Sequence, residues 1–159
     1  MYLRKKDYEE LLRLAYFDLG TGFYNRNWFE KNFVESHPNK KISLAMVDIN
    51  YLKHINDNYG HAAGDKKIIE VGNKLSKYSK VIRWGGDEFY CIIDHKHIKD
   101  FEDMCKDQNE FAYAIEENFE CKNIVDTLAK LDEKMYECKS LQKKIHHYKA
   151  DSVIHFHQE

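Results

Sequence analysis

Two β-prone runs, Val81-Ile82-Arg83-Trp84 and Phe89-Tyr90-Cys91-Ile92-Ile93, are separated only by Gly85-Gly86-Asp87-Glu88. A connection that short makes the runs turn back on each other as an antiparallel hairpin. Paired glycines suit such a hairpin because tight turn positions call for positive φ. The turn also carries two consecutive carboxylates, Asp87 and Glu88. A third apolar run, KISLAMVD over 41–48, reads as a buried strand, and it too ends on an acid, Asp48.

Helical periodicity surrounds these strands. Tyr8, Leu11, Leu12 and Ala15 recur at i, i+3, i+4 and i+7 within 4–16, the spacing of one helix face. A second helix is predicted from about Asn25, carrying Trp28, Phe29 and Phe33, and ending by Pro38. A short helical stretch over 50–57 leads to a loop over 59–64. Asp65 then reads as the N-cap of a helix that buries Ile68, Val71, Leu75 and Tyr78. Further on come a short helix over 97–106, a strand at 111–115 and a long helix over 121–144 with Ile124, Leu128, Leu131, Met135 and Cys138 inward. Strands alternating with helices predict an α/β (α+β) sheet domain. With no linker, repeat or low-complexity tract, residues 1–159 read as one domain, in which 1–16 is an N-terminal helix and 145–159 a tail or closing strand.

Charge narrows the function. Lys and Arg total 25 against 27 for Asp and Glu, a net charge of -2, which argues against non-specific nucleic-acid binding and leaves small charged ligands open. The amino terminus has no apolar leader and no run nears the ~20 apolar residues of a membrane span, so a cytoplasmic setting is expected. Cys91, Cys105, Cys121 and Cys138 form no CxxC pair and are expected to stay reduced. His146, His147, His155 and His157 share no acidic or cysteine ligand at metal-binding spacing, and read as part of a solvated last helix and closing strand.

The chemistry rests on whether the strand ending at Asp48 neighbours the hairpin. If it does, Asp48, Asp87 and Glu88 converge at one sheet edge, and oxygen-only ligands there suit Mg²⁺ or Mn²⁺ rather than zinc. Such ions can clamp a triphosphate and activate a hydroxyl for in-line attack. Gly85 and Gly86, lacking Cβ, would let a phosphate or ribose approach the backbone. The alternative is a surface hairpin with solvated acids.

Gly85-Gly86-Asp87-Glu88-Phe89 resembles the signature of the GGDEF-domain diguanylate cyclase family. Three more stretches resemble the family in order: Asp18-Leu19-Gly20-Thr21-Gly22-Phe23-Tyr24-Asn25-Arg26 its opening D-x-L-T-G-L-x-N-R, residues 48–57 its D-I-D-x-F-K-x-I-N-D, and residues 58–65 its x-x-G-H-x-x-G-D. Residues 131–139 resemble its closing A-D-x-A-L-Y-x-A-K.

The resemblance implies a central mixed sheet flanked by helices, the palm-like nucleotidyl-cyclase fold. It also implies condensation of two GTP into cyclic di-GMP, a second messenger, with release of pyrophosphate, by 3′-hydroxyl attack on the α-phosphate across a homodimer. Asp48 and Asp87 would hold Mg²⁺ or Mn²⁺ with the Ile49 carbonyl assisting, and Glu88 would complete the metal site or help deprotonate the 3′-hydroxyl. Asn56 and Asp65 match the guanine-reading pair; a carboxylate suits guanine's adjacent N1–H and 2-amino donors and faces a lone pair on adenine. Lys139 and Lys143, at i and i+4 on the side of the last helix away from its apolar stripe, match the phosphate-gripping Lys and Arg, and Lys53 adds a further positive charge. Departures from the pattern are Asn50 for the second Asp of D-x-D, Gly20 for a leucine, Lys143 for an arginine, and a short segment between Phe89 and Asp132. Ser76-Lys77-Tyr78-Ser79 stands where the family carries its R-x-x-D product-inhibition motif, so no feedback inhibition is expected there. Control would then come from expression, a partner or a fused sensor. The alternatives to this reading are a weak or silent module that binds GTP or a partner protein, and a cyclase that makes another cyclic dinucleotide.

Overall fold

The structure is a computed structural model that describes the backbone of residues 4–106 and 108–155, and the side chains of these residues up to 145. Five strands, β1 (Tyr24–Asn25), β2 (Lys41–Ile49), β3 (Ser79–Arg83), β4 (Glu88–Ile93) and β5 (Phe111–Glu120), form one mixed sheet in the order β1-β3-β4-β2-β5. β1 runs parallel to β3, and every other pairing is antiparallel. The helices are α1 (Lys5–Tyr16), α2 (Arg26–Trp28, continuing as a π-helical turn over Phe29–Val34), α3 (Leu52–Tyr59), α4 (His61–Leu75), α5 (Ile98–Lys106) and α6 (Ile124–His155).

Strand β2 is buried along 42–49 because helices cover both its faces. Side chains alternate across a strand. Ala45, Val47 and Ile49 therefore enter one core with Ile68, Val71 and Leu75 of α4 and Phe101 of α5. Ile42, Leu44 and Met46 enter the other with Phe29 and Phe33 of α2 and Leu131 and Met135 of α6. Leu44 is fully buried, so Leu44→Ala costs about 2–5 kcal/mol. Asp48 shares the parity of Leu44 and Met46, which turns it toward α6.

Local sequence accounts for most boundaries. Asn25 Oδ1 accepts from the Trp28 amide at 2.9 Å, capping α2, while its Nδ2 donates to the Ala15 carbonyl at 3.0 Å and ties down the end of α1. In the Asp18–Phe23 turn, Asp18 Oδ1 accepts from Thr21 N at 2.9 Å and Thr21 Oγ1 at 2.6 Å.

Four expectations are corrected. The loop expected over 59–64 contracts to Gly60, whose φ of 83° joins α3 directly to α4 at His61; Asp65 therefore lies in the second turn of α4 and is not its N-cap. Neither Gly85 nor Gly86 has positive φ. Arg83 pairs with Phe89 in register, and the Trp84 amide donates to the Glu88 carbonyl at 2.9 Å, so three residues, 85–87, share the reversal. The Arg83 guanidinium, donating to the Gly85 and Gly86 carbonyls, holds that wider turn. The strand expected at 111–115 extends to Glu120, with a bulge opposite Ile42–Leu44. Finally, the closing strand expected within 145–159 is helix as far as His155. Gly86 is the last glycine of the chain and Pro38 its one proline, so nothing in the backbone chemistry stops α6. Residues 156–159, and the side chains of His146, His147, His155 and His157, lie outside the described set.

Candidate active site

The register of β2 and β4 places Asp48 directly opposite Glu88, and cross-strand neighbours share a face. The Ile49 amide donates to the Asp87 carbonyl at 2.9 Å. The buried strand end and the glycine turn therefore meet at one end of the sheet. Asp48 is 8% exposed, and Asp87 and Glu88 are half-buried, so this is no turn of fully solvated acids.

Burial and like charge both act on these acids. Asp48 is pushed up from the ordinary carboxylate range by its burial and, less strongly, by Asp87, while Lys139 pulls it back down. Glu88 is pushed up by burial and by the charges of Asp48, Asp87 and Asp132. Lys139 Nζ stands 2.6 Å from Asp48 Oδ2. That corrects the placing of Lys139 on the side of α6 away from its apolar stripe: it flanks the stripe and reaches the central strand. Lys143, one turn on, is exposed.

Asn50 does not repeat the role of Asp48. Its amide Nδ2 donates to the Asn109 carbonyl at 2.9 Å and to Gln142 Oε1 at 3.1 Å, and an aspartate could make neither bond. On the other helical layer, Asn56 lies against Gly64: a Cβ on Gly64 would sit 1.9 Å from Asn56 Oδ1. Asn56 thus comes beside the residue that precedes Asp65, which is exposed on α4, with Lys53 exposed one turn before Asn56 on α3. At the turn, a Cβ on Gly85 would sit 3.3 Å from Glu88 Oε2, while one on Gly86 would meet open space.

Among the described residues no three His, Cys, Asp or Glu side chains are placed to hold a metal ion together. The donor set is all oxygen, and a cation, the Lys139 ammonium, already stands on Asp48. That chemistry fits a hard divalent ion such as Mg²⁺ or Mn²⁺ once the ammonium moves aside. Burial pushes the Cys91 and Cys105 thiols up to about 12, away from the thiolate form that ligates metals. A large cavity of about 760 Å³, lined by Lys41, Ser43, Ser76, Lys80 and Ile93 among others, opens at the other end of the sheet; Ser43 lies five residues before Asp48, about 17 Å along the strand.

Three contacts escape a reading of the sequence. Gln142 bridges Asn50 and, through Nε2, the Phe111 carbonyl at 3.4 Å; its one signal is the i+3 spacing from Lys139. Asp132 adds charge near Glu88. Glu110 takes ion pairs from Lys67 and Lys74 and so fastens α4 to the start of β5.

The profile of the family described as "Diguanylate cyclase, GGDEF domain" matches residues 15–127, most of the chain and all of the strands. The chain belongs to the GGDEF family. Among curated proteins, this GGDEF chain is 35% identical over 100 residues to the diguanylate cyclase VdcA of Vibrio cholerae, covering 60% of this chain and 30% of VdcA. It is 36% identical over 92 residues to the diguanylate cyclase DgcN of Escherichia coli, covering 53% of this chain and 22% of DgcN. It therefore spans less than a third of the length of either relative. The coiled coil and GGDEF domain of DgcB from Caulobacter crescentus, solved in complex with c-di-GMP, shares the fold with a TM-score of 0.66 at 20% identity, over 86% of each chain. Diguanylate cyclase SiaD of Pseudomonas aeruginosa, solved in complex with its activator SiaC, has a TM-score of 0.66 at 20% identity, over 85% of this chain and 62% of that one. Among the described residues of this GGDEF domain, no helix is long and apolar enough to cross a membrane.

Proposed function

We propose that this chain condenses two GTP molecules into cyclic di-GMP and pyrophosphate, one nucleotide bound by each domain of a homodimer. The observation that carries the reading is the register pairing of Asp48 with Glu88 across β2 and β4, with Asp87 on the adjoining turn. Asp48, Asp87 and Glu88, with the Ile49 carbonyl, would hold Mg²⁺ or Mn²⁺. The bound ions would supply charge stabilisation at the triphosphate and acidify the attacking 3′-hydroxyl.

The chain's own residues do the rest. Asn56 and Asp65 read guanine by accepting from its N1–H and 2-amino groups and donating to its carbonyl. Gly86, with open space where a Cβ would stand, lets the nucleotide approach the turn. Lys139, Lys143 and Lys53 neutralise the triphosphate. The dimer brings a 3′-oxygen on one nucleotide to the α-phosphate of the other, so catalysis is mostly positioning and charge stabilisation. The setting is cytoplasmic, and a partner or fused sensor governs dimerisation.

Incubation with Mg²⁺ and either GTP or ATP, with products read by mass, tests this. Cyclic di-GMP from GTP alone is expected, and a cyclic product from ATP refutes the guanine selectivity. The second reading is a module that binds GTP without turning it over, and the observation in its favour is the ammonium of Lys139 on Asp48. GTP binding without product from an assembled dimer would establish it.

A further inference from the structure

The contact between Lys139 and Asp48 does not fit a lysine whose sole task is to grip phosphate. Asp48 is buried, and a bare carboxylate there is costly because no water replaces the hydration it loses. Asp87 and Glu88 add negative charge at the same end of the sheet. Lys139 relieves this, Nζ to Oδ2 at 2.6 Å, from a side chain that is still 40% exposed. The ammonium is thus close enough to neutralise Asp48 and open enough to leave.

We infer that Lys139 is a resident counter-cation: it neutralises Asp48 while no divalent ion is bound, yields that carboxylate to the ion, and passes to the nucleotide phosphates. The inference rests on the cyclase reading for the identity of the nucleotide, but the exchange at Asp48 stands on the ion pair alone. An ammonium on Asp48 Oδ2 and a divalent cation on the same carboxylate repel each other strongly, so loading of the ion drives the lysine off. Its flexible four-carbon stem lets the head move without the backbone. The helix stays in place meanwhile, because Gln142, three residues on, is bonded to Asn50 and to the Phe111 carbonyl. Metal and nucleotide loading are thereby coupled through one side chain, since the ion frees the very group that the phosphates recruit.

The test compares the full chain with Lys139→Gln, Lys139→Arg and Lys143→Gln. Mn²⁺ binding without nucleotide is measured by the loss of the free-ion spin-resonance signal, and binding of a non-hydrolysable GTP analogue with Mn²⁺ by calorimetry. Lys139→Gln should bind Mn²⁺ alone about tenfold more tightly than wild type, the scale of one partly exposed ion pair that the ion no longer has to break, and the analogue about tenfold more weakly. Lys139→Arg should keep the wild-type Mn²⁺ affinity. Lys143→Gln should weaken the analogue and leave Mn²⁺ alone unchanged. Mn²⁺ affinity in Lys139→Gln equal to or below wild type overturns the counter-cation, and an undiminished analogue affinity overturns the hand-over. A chain that binds Mn²⁺ as expected but no guanine nucleotide refutes the cyclase reading while the Mn²⁺ comparison still decides the exchange. A wild-type measurement guards against loss of folding in the variant: the Lys139 Cε–Hε NMR signal, identified by its disappearance in Lys139→Arg, should move on addition of Mg²⁺ alone, and a stationary signal overturns the inference.

Discussion

Gly64→Ala separates folding from nucleotide recognition through the Asn56 side chain. All three heavy atoms that a new Cβ would meet first belong to the Asn56 side chain: Oδ1 at 1.9 Å, Cγ at 2.9 Å and Nδ2 at 3.3 Å. Moving Oδ1 from 1.9 Å to the 3.4 Å at which ordinary contact begins takes a displacement of 1.5 Å (3.4 minus 1.9). The stability terms nearly cancel. Alanine in the interior of α4 gains about 1 kcal/mol over glycine, and forcing Asn56 off its rotamer costs about 0.5–1.5 kcal/mol. Thermal unfolding should therefore change by no more than about 1 kcal/mol. Recognition should not survive as well: one misplaced hydrogen-bonding group costs about tenfold in GTP affinity, and a displacement above 1 Å costs about a hundredfold in turnover.

A double-mutant cycle makes the reasoning refutable. In Asn56→Ala the atoms that oppose the new Cβ are gone, so adding Gly64→Ala should leave GTP affinity at the Asn56→Ala level and raise stability by about 1 kcal/mol. Calorimetric titration and thermal melts on the four proteins read both quantities. Wild-type GTP affinity in Gly64→Ala, or a further loss of affinity in the double variant beyond Asn56→Ala, refutes the assignment of Asn56 to the base.

Other outcomes follow from the same contacts. Asp87→Ala should abolish cyclic di-GMP formation while the melting temperature holds or rises, because a repulsive neighbour of Asp48 is removed; near-wild-type activity takes Asp87 out of the site. Gly72→Ala should instead destabilise by about 1–3 kcal/mol with guanine recognition intact, since its Cβ would come within 2.3 Å of the Phe23 ring, which packs edge-on to buried Phe89; an unchanged melt refutes it. Glu110 is held below the ordinary 4.5 by Lys67 and Lys74, so its contribution is full above pH 4.5 and disappears as pH falls through the lowered native value. Glu110→Gln should lose about 1.5 kcal/mol at neutral pH and show a flatter fall in melting temperature below pH 4.5; parallel pH profiles for the two proteins would exclude the clamp.

What could be read beforehand was whatever is local or alternates strictly. The β-runs flanking Gly85–Glu88 specified a hairpin, and the unbroken apolar stretch before Asp48 specified a strand covered on both faces. What escaped depends on distant partners. Gly85 and Gly86 need no positive φ because Arg83, pinned in register with Phe89, holds a wider turn by its guanidinium. Asp65 fails as a cap because Gly60 alone turns the chain and α4 starts early. The placing of Lys139 failed for a third reason: helical periodicity tells which residues share a stripe, but not how closely α6 approaches β2.

That approach explains why the site and the core cannot be separated. Leu131 and Met135 bury the first half of α6 against the face of β2 carrying Leu44 and Met46. The next turn along delivers Lys139 to Asp48, and the turn after that delivers Gln142 to Asn50. Apolar packing therefore sets the rise and rotation at which the two polar contacts are made. It also supplies the free energy that keeps a buried aspartate beside two other acids, an arrangement unfavourable by itself. A one-residue slip of β2 that took Asp48 away from α6 would carry it into the core of Ile68, Val71 and Leu75 and drive Val47 and Ile49 out of that core. The acids stay together because the hydrophobic register leaves them no other place.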